Sequence, residues 1–333
     1  MGAALKDSRF LLALTAALAP VIGHWLGAYW YAFLVFLVIV PVLDLMLGRS
    51  ARPSSAEEMQ RLEANPFFRC VLHAWVPLQL ALIGWGAWLI GTRDLGAGNA
   101  VLFTLSVGLA TGATGITIAH ELGHKRSPVD RILSRLLLVT VSYGHFTVEH
   151  NRGHHVRVAT PEDPASARYG ESYWAFLPRT LIGSFRHAWA LERGEVLIPW
   201  AATLAICAAL SLAFGPLAAA FFFGQSAMAI ALLEAVNYVE HYGLQRAKLP
   251  DGRFERPGAR HAWDAYERLS NCFLVHLQRH ADHHLNPMRP YAALQPQAES
   301  PKLPTGYAGM IPVAMVPPLW FAVMNPRVPK SAG

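Results

Sequence analysis

The chain has 333 residues, of which 53% are hydrophobic and only 15% charged, against about 25% charged in an ordinary globular domain. Despite the net charge of +6, that shortage argues against a disordered chain, a secreted disulfide scaffold or a nucleic-acid binder. Three cysteines (Cys70, Cys207, Cys272) with no CxxC pair offer neither a disulfide framework nor a zinc or iron–sulfur site, whereas fifteen histidines stand out in a chain so poor in other ionisable groups.

In chain order, four stretches lack Lys, Arg, Asp and Glu: Phe10–Leu43 (34 residues), Cys70–Thr92 (23), Leu95–Ala119 (25) and Val196–Leu233 (38). A helix needs about 20 apolar residues to cross a hydrocarbon core. The middle two therefore predict one span each, and the outer two predict two each. Phe214-Gly215-Pro216 supplies the turn in the last stretch, and Gly27-Ala28 the turn in the first. The expectation is an all-α membrane protein forming one domain over 1–333. Its six transmembrane helices lie at roughly 10–27, 29–47, 70–92, 95–119, 196–213 and 216–236, with a histidine-rich region over 120–195 and 237–333. No small-residue cleavage site is followed by soluble sequence, so a signal peptide is not expected.

Six spans put both termini on one side, and that side holds 27 of the 28 Lys and Arg; Arg93 is alone on the other. By the positive-inside rule the termini and large loops face the cytoplasm, as in a multi-pass protein of a bacterial inner membrane. Two more apolar segments, Ile132–Val148 and Met310–Met324, contain Arg135 and His145 or Pro312, Pro317 and Pro318. They are expected beneath the bundle, not across the bilayer.

Nine histidines fall in four clusters at that face. His120-Glu121-Leu122-Gly123-His124 places two imidazoles at i and i+4, on one helix face. His150-Asn151-Arg152-Gly153-His154-His155 repeats the i,i+4 pair and adds a neighbour about 100° round the helix. His241 closes Asn237-Tyr238-Val239-Glu240-His241, and His280-Ala281-Asp282-His283-His284 gives i,i+3 and i,i+4 pairs. HExxH alone is a zinc-protease signature, but a protease leaves seven further clustered histidines unexplained. Nine nitrogens overfill one ion, while two roughly six-coordinate ions leave positions for water or O2. Two redox-active irons built for oxygen chemistry are the natural inference. Glu121, Glu149, Glu240, Asp282 and Asn237 are the candidates to support the ligands from behind, with a bridging role open to one of the carboxylates. His24, His73, His187 and His261 are read as structural, and His145 and His276 as neighbours of the clusters.

The histidine layout resembles the integral-membrane di-iron superfamily of fatty-acyl desaturases and hydroxylases. The longer strings HELGHK (120–125), EHNRGHHVRVATPEDPAS (149–166), NYVEHYGL (237–244) and LQRHADHHLNP (277–287) look like those of the alkane monooxygenases, and the C-terminal Pro317-Pro318-Leu319-Trp320 and Asn325-Pro326-Arg327-Val328 are similar too. Aromatic-methyl hydroxylases have related boxes. The resemblance implies that the nine histidines hold two non-haem irons (Fe2+/Fe3+), with no catalytic residue beyond the metal centre. It also implies hydroxylation of the terminal methyl of medium- to long-chain alkanes: R–CH3 + O2 + 2 e− + 2 H+ → R–CH2OH + H2O. An aromatic methyl group or a fatty acyl chain is the alternative substrate. One departure is Val275-His276, where the family usually shows Phe-Asn. No GxGxxG or four-cysteine site is present to carry electrons. A separate rubredoxin and its reductase are implied, with Arg246, Lys248, Arg253, Arg256 and Arg260 as candidate docking contacts. The alkane would arrive through membrane lipid, and Gly108, Ala110, Gly112, Ala113 and Gly115 suit either close helix packing or a channel wall.

Overall fold

The computed structural model describes residues 3–329, and among these no β-strand forms, only isolated bridges such as Arg49 with Glu267. Four helical stretches are long and apolar enough to cross a membrane: α3 (Ala56–Thr92, interrupted at Asn65-Pro66), α4 (Ala97–Gly123), α8 (Arg193–Phe214) and α9 (Pro216–His241). The N-terminal stretch is less regular. A broken helical run over 3–25 (α1) turns at Gly27, whose φ is +64°, into α2 (Tyr31–Leu47). At 17 residues α2 is apolar but short, so neither it nor α1 joins those four.

Between the long helices the chain makes α5 (Pro128–Val139), α6 (146–157) and α7 (Tyr173–Leu191). The apolar segment from Ile132 to Val148 is no single helix. α5 stops at Val139 and a turn with Ser142 at φ +55° leads into α6. After α9 come α10 (His280–Leu285), α11 (Tyr307–Ala314) and α12 (Pro317–Met324), the last two separated where Pro317 starts a new helix. α7 was not anticipated as an element: its buried positions Tyr173, Phe176, Thr180, Ser184 and Ala188 form a narrow stripe within a mixed polar sequence.

α8 shows what surrounds this protein. Leu212 is 90% exposed and Ile198 73%, and Leu45 and Met46 of α2 are similarly bare. Such apolar faces are unstable in water and ordinary in lipid; the chain is a membrane protein.

α4 and α9 pack closely because glycine removes the obstacle. A Cβ on Gly112 would stand 2.8 Å from the Ala229 Cα, and one on Gly108 2.5 Å from the Met228 Cβ. These glycines therefore serve helix packing. Polar side chains lock the bundle further. Gln79 donates to Thr140 Oγ1 at 2.8 Å and accepts from Trp75 Nε1 at 2.8 Å, while Gln225 donates to the Thr140 carbonyl at 2.9 Å and accepts from Thr111 at 2.9 Å. Inside an apolar bundle these groups have no water to turn to, so satisfied amides specify how the helices register. α4 and α9 both end in histidines, His120 in the last turn of one and His241 closing the other.

Candidate metal centre

The nine histidines converge from four elements: α4 and the residue after it, α6, α9 and α10. They form two groups. His120, His124, His150, His155 and His283 make one; His154, His241, His280 and His284 make the other; within each, the ligand nitrogens lie within 4.8 Å of one another. The groups abut, with the His155 and His284 rings 4.4 Å apart between centroids.

The partition differs from the simple helical expectation for the second cluster. His150 and His154 do not share a group; His150 pairs with His155, and their Nε2 atoms approach to 3.0 Å. The cause is a π-helical turn over His150–His154, in which i and i+5 replace i and i+4 as stacked neighbours. In α10 the expected i,i+4 pair, His280 and His284, stays together with Nε2 atoms 3.0 Å apart, and His283 turns to the five-histidine group.

The donor set fits a metal. Nε2 of His120, His124 and His154 is buried without a hydrogen-bond partner, and neutral rings crowd Nε2 against Nε2, as His241 does with His280 at 3.1 Å. Burial first, and then repulsion between neighbouring imidazoles, holds His124, His150, His155, His280, His283 and His284 well below the ordinary histidine pKa. Their lone pairs are thus free at neutral pH, the state a metal needs.

Comparison with known proteins fits this arrangement. The fatty acid desaturase family model matches residues 97–314, more than half of the chain. Alkane 1-monooxygenase 2 of Pseudomonas aeruginosa is 43% identical, over 97% of this chain and 92% of its own length. Alkane 1-monooxygenase of Acinetobacter baylyi is 38% identical, over 89% and 76% respectively. The chain belongs to the alkane 1-monooxygenase family. A more distant relative, at 23% identity over 95% of the chain, is the xylene/toluene monooxygenase hydroxylase component of Pseudomonas putida.

In this alkane 1-monooxygenase relative the polar surroundings of the two groups are unequal. Of Glu121, Glu149, Glu240, Asp282 and Asn237, Glu240 alone makes a polar contact with a cluster histidine, its Oε2 lying 3.2 Å from His280 Nε2. Glu121 pairs with Lys125 at 2.6 Å and accepts from the Tyr291 amide at 3.0 Å. Glu149 receives His187 Nδ1 at 3.0 Å, Asp282 is held by Arg289 at 2.6 Å and by the Gln295 amide at 2.8 Å, and Asn237 donates to Glu234 at 3.2 Å. An acid beside a ligand in sequence is rotated about 100° away from it on a helix, so Glu121, Glu149 and Asp282 bind neighbouring segments together instead.

The far ring nitrogens find partners the sequence did not single out. His154 Nδ1 donates to Asp163 Oδ2 at 2.9 Å, and Asp163 accepts a second bond from Ser166 Oγ at 2.6 Å. His241 Nδ1 donates to the His261 carbonyl at 3.0 Å. Burial disfavours charge on His154, but the Asp163 carboxylate outweighs it and raises the imidazole pKa; Asp163, buried too, is in turn held below the usual carboxylate range by His154. Asp163 sits within the EHNRGHHVRVATPEDPAS string, and only its return to His154 in three dimensions distinguishes it from Glu162.

The other histidines stay outside both groups. His24 bonds Tyr29 at 3.2 Å, His73 bonds Asp130 at 2.6 Å, and His276 bonds the Tyr291 carbonyl at 3.1 Å. His145 packs against Tyr143 and Phe185. The Val275-His276 departure lies where both residues have positive φ, +39° and +58°, a conformation that a β-branched valine rarely adopts.

Proposed function

We propose that this chain is a di-iron hydroxylase that converts the terminal methyl of an n-alkane to a primary alcohol. The carrying observation is the pair of adjoining histidine groups, with an apolar cavity whose α4 and α9 walls precede them along the same two helices. That cavity is lined by Leu37, Leu109, Ala113, Leu232, Val236 and Ile311. Val236 lies one turn before Glu240 on α9, and Ala113 two turns before His120 on α4. A hydrocarbon lying along these walls therefore presents its end to the histidines. Of the small residues on α4, Ala113 lines the cavity while Gly108, Gly112 and Gly115 press against neighbouring side chains and backbone.

Two iron ions in the histidine groups would supply the activation of O2 and the oxidising power for a primary C–H bond. The protein's part is binding, orientation and exclusion of water. Five imidazoles would hold one ion; four imidazoles, with Glu240 as the carboxylate in reach, would hold the other. Asp163 and the His261 carbonyl fix the tautomers of His154 and His241, leaving Nε2 as the nitrogen that would bind a metal. The alkane has no polar handle and is selected by burial alone, about 0.8 kcal/mol per CH2 relative to water, and by less when it starts in lipid.

Six passes are the natural topology, with α1 and α2 as two short spans and the histidine end in the cytoplasm, as the distribution of Lys and Arg favours. Electrons then come from a cytoplasmic donor, a rubredoxin reduced by its own reductase. Arg246, Arg260 and His261 line one groove at the protein surface, and the His261 backbone is already bonded to His241. Lys248, Arg253 and Arg256 lie on the same connection after α9. Turnover should fall steeply with added salt if the acidic donor docks there.

Incubating the purified protein with O2, reduced donor and separate n-alkanes, p-xylene and fatty acids tests the reading. 1-Alkanols are expected; products from p-xylene or fatty acids alone would assign the alternative substrate class.

A further inference from the structure

Two residues in the walls of the apolar cavity carry polar side chains, Ser270 and Tyr307. The Ser270 hydroxyl is taken up by Gln278, whose side-chain amide donates to it at 2.8 Å. Tyr307, at the start of α11, is fully buried and reaches toward the histidines. Its hydroxyl donates to the Glu240 carboxylate, and Glu240 Oε2 stands 3.2 Å from His280 Nε2. The same tyrosine is tied to His280 by a second route. Its backbone N–H donates to Gln278 Oε1 at 2.7 Å, and Gln278 lies two residues before His280 in the chain. A Cβ on the preceding Gly306 would sit 2.8 Å from Ser270 Oγ and 2.9 Å from Gln278 Oε1, so the main chain has no room to shift where the tyrosine enters. Tyr307 is therefore anchored at both ends to groups that touch or carry one histidine, and the ring between those ends is cavity wall.

An alkane has no polar group, so the protein can register its arrival only through packing. A hydrocarbon against the Tyr307 ring adds dispersion contacts on that side and restricts the ring's motion. Close-packed interiors transmit such a change instead of absorbing it. We propose that Tyr307 is a positioning residue through which a hydrocarbon in the cavity sets the orientation of Glu240 toward His280. The hydrocarbon steadies the ring, the ring holds the Glu240 carboxylate, and the four-histidine group senses the substrate. The five-histidine group has no bond to Tyr307 or Glu240 and does not. This rests on the reading of the cavity as the hydrocarbon path and of the histidine groups as iron sites. Its consequence is that an iron in the four-histidine group has one environment without substrate and another with it.

The test uses the full chain loaded with iron-57, reduced and held without O2 in lipid nanodiscs. Mössbauer spectra are recorded with and without n-decane, and thermal protection by n-decane is measured on the same samples. In the native protein n-decane should shift the signal of one iron, the one that His284→Ala removes, and leave the other unmoved. Protection without any shift, or an equal shift of both irons, would overturn the proposal without recourse to a variant at Tyr307. Tyr307→Phe keeps the ring in the wall and removes the hydroxyl, so protection should persist while the shift is lost. A shift of native size in that variant at full iron content would overturn the role of Tyr307. Ala113→Trp examines the underlying path separately: by filling the cavity it should abolish both protection and shift. Native responses in that variant would overturn the cavity as the path, and the proposal with it.

Discussion

The five-histidine and four-histidine groups are neighbours built from the same side chains, yet their surroundings differ in charge. Around His120, His124, His150, His155 and His283 the nearest polar groups are other imidazoles, and no cluster ring there bonds a carboxylate. Around His154, His241, His280 and His284 stand Asp163 and Glu240, and Asp264 lies just behind, accepting from the Ala281 amide at 2.8 Å. A nearby anion favours the more highly charged metal state. Two irons held in these groups would therefore differ in character, with the more electron-poor state favoured in the four-histidine group.

The sharpest way to break this comparison uses two adjacent residues. His283→Ala and His284→Ala each remove a ligand, but from different groups. Each should abolish hydroxylation and lose about one iron per chain, with the remaining iron in a different environment in the two variants. Metal analysis with a spectrum of the residual iron checks this; a fully active His284→Ala would remove that histidine from the centre.

A smaller effect follows from Asp264. Burial pushes its carboxyl pKa up to about 6, above an unfolded value near 4. The folded protein thus binds this proton more tightly than the unfolded chain does. The stabilisation is complete below pH ~4 and is lost as the pH rises through about 6, amounting to about 3 kcal/mol. Asp264→Asn should flatten that part of the thermal-unfolding profile measured between pH 4 and 7. An unaltered slope would mean that the anionic backing of α10 is weaker than described.

Smallest is the effect of Asp163→Asn, which retains the shape but loses the charge behind His154. Iron affinity of the four-histidine group should fall about 10- to 100-fold, while the five-histidine group keeps its metal. Competitive chelation, following the two irons separately, is the measurement. Equal loss from both groups would contradict their independence.

Much of the site was legible because membrane proteins advertise it. Where charge is scarce, nine histidines in four clusters are conspicuous, and the helix break at Gly215 (φ +89°) coincides with Phe214-Gly215-Pro216. Long apolar runs likewise mark α3, α4, α8 and α9, since spanning helices need no tertiary context to be apolar. What stayed hidden depends on the third dimension. The π-turn at His150–His154 leaves no local signature, so the allotment of His150, His154 and His155 between the groups could not follow from i,i+4 spacing. Asp163 looks like loop chemistry until the chain folds back on itself. Glu234 is similar: it lies just past a charge-free stretch, yet it is buried and satisfied by Tyr143 at 2.7 Å and Thr180 at 2.8 Å. The cavity walls come from α2, α4, α9, the segment before α10, and α11, and sequence order offers no guide to which faces meet.

Mössbauer spectroscopy of the purified protein loaded with iron-57, together with its metal content, tests the central claim most directly. The account predicts two irons per chain in two distinct environments, only one of which shifts in Asp163→Asn. One zinc per chain without iron, or two irons that respond identically to that substitution, would contradict it.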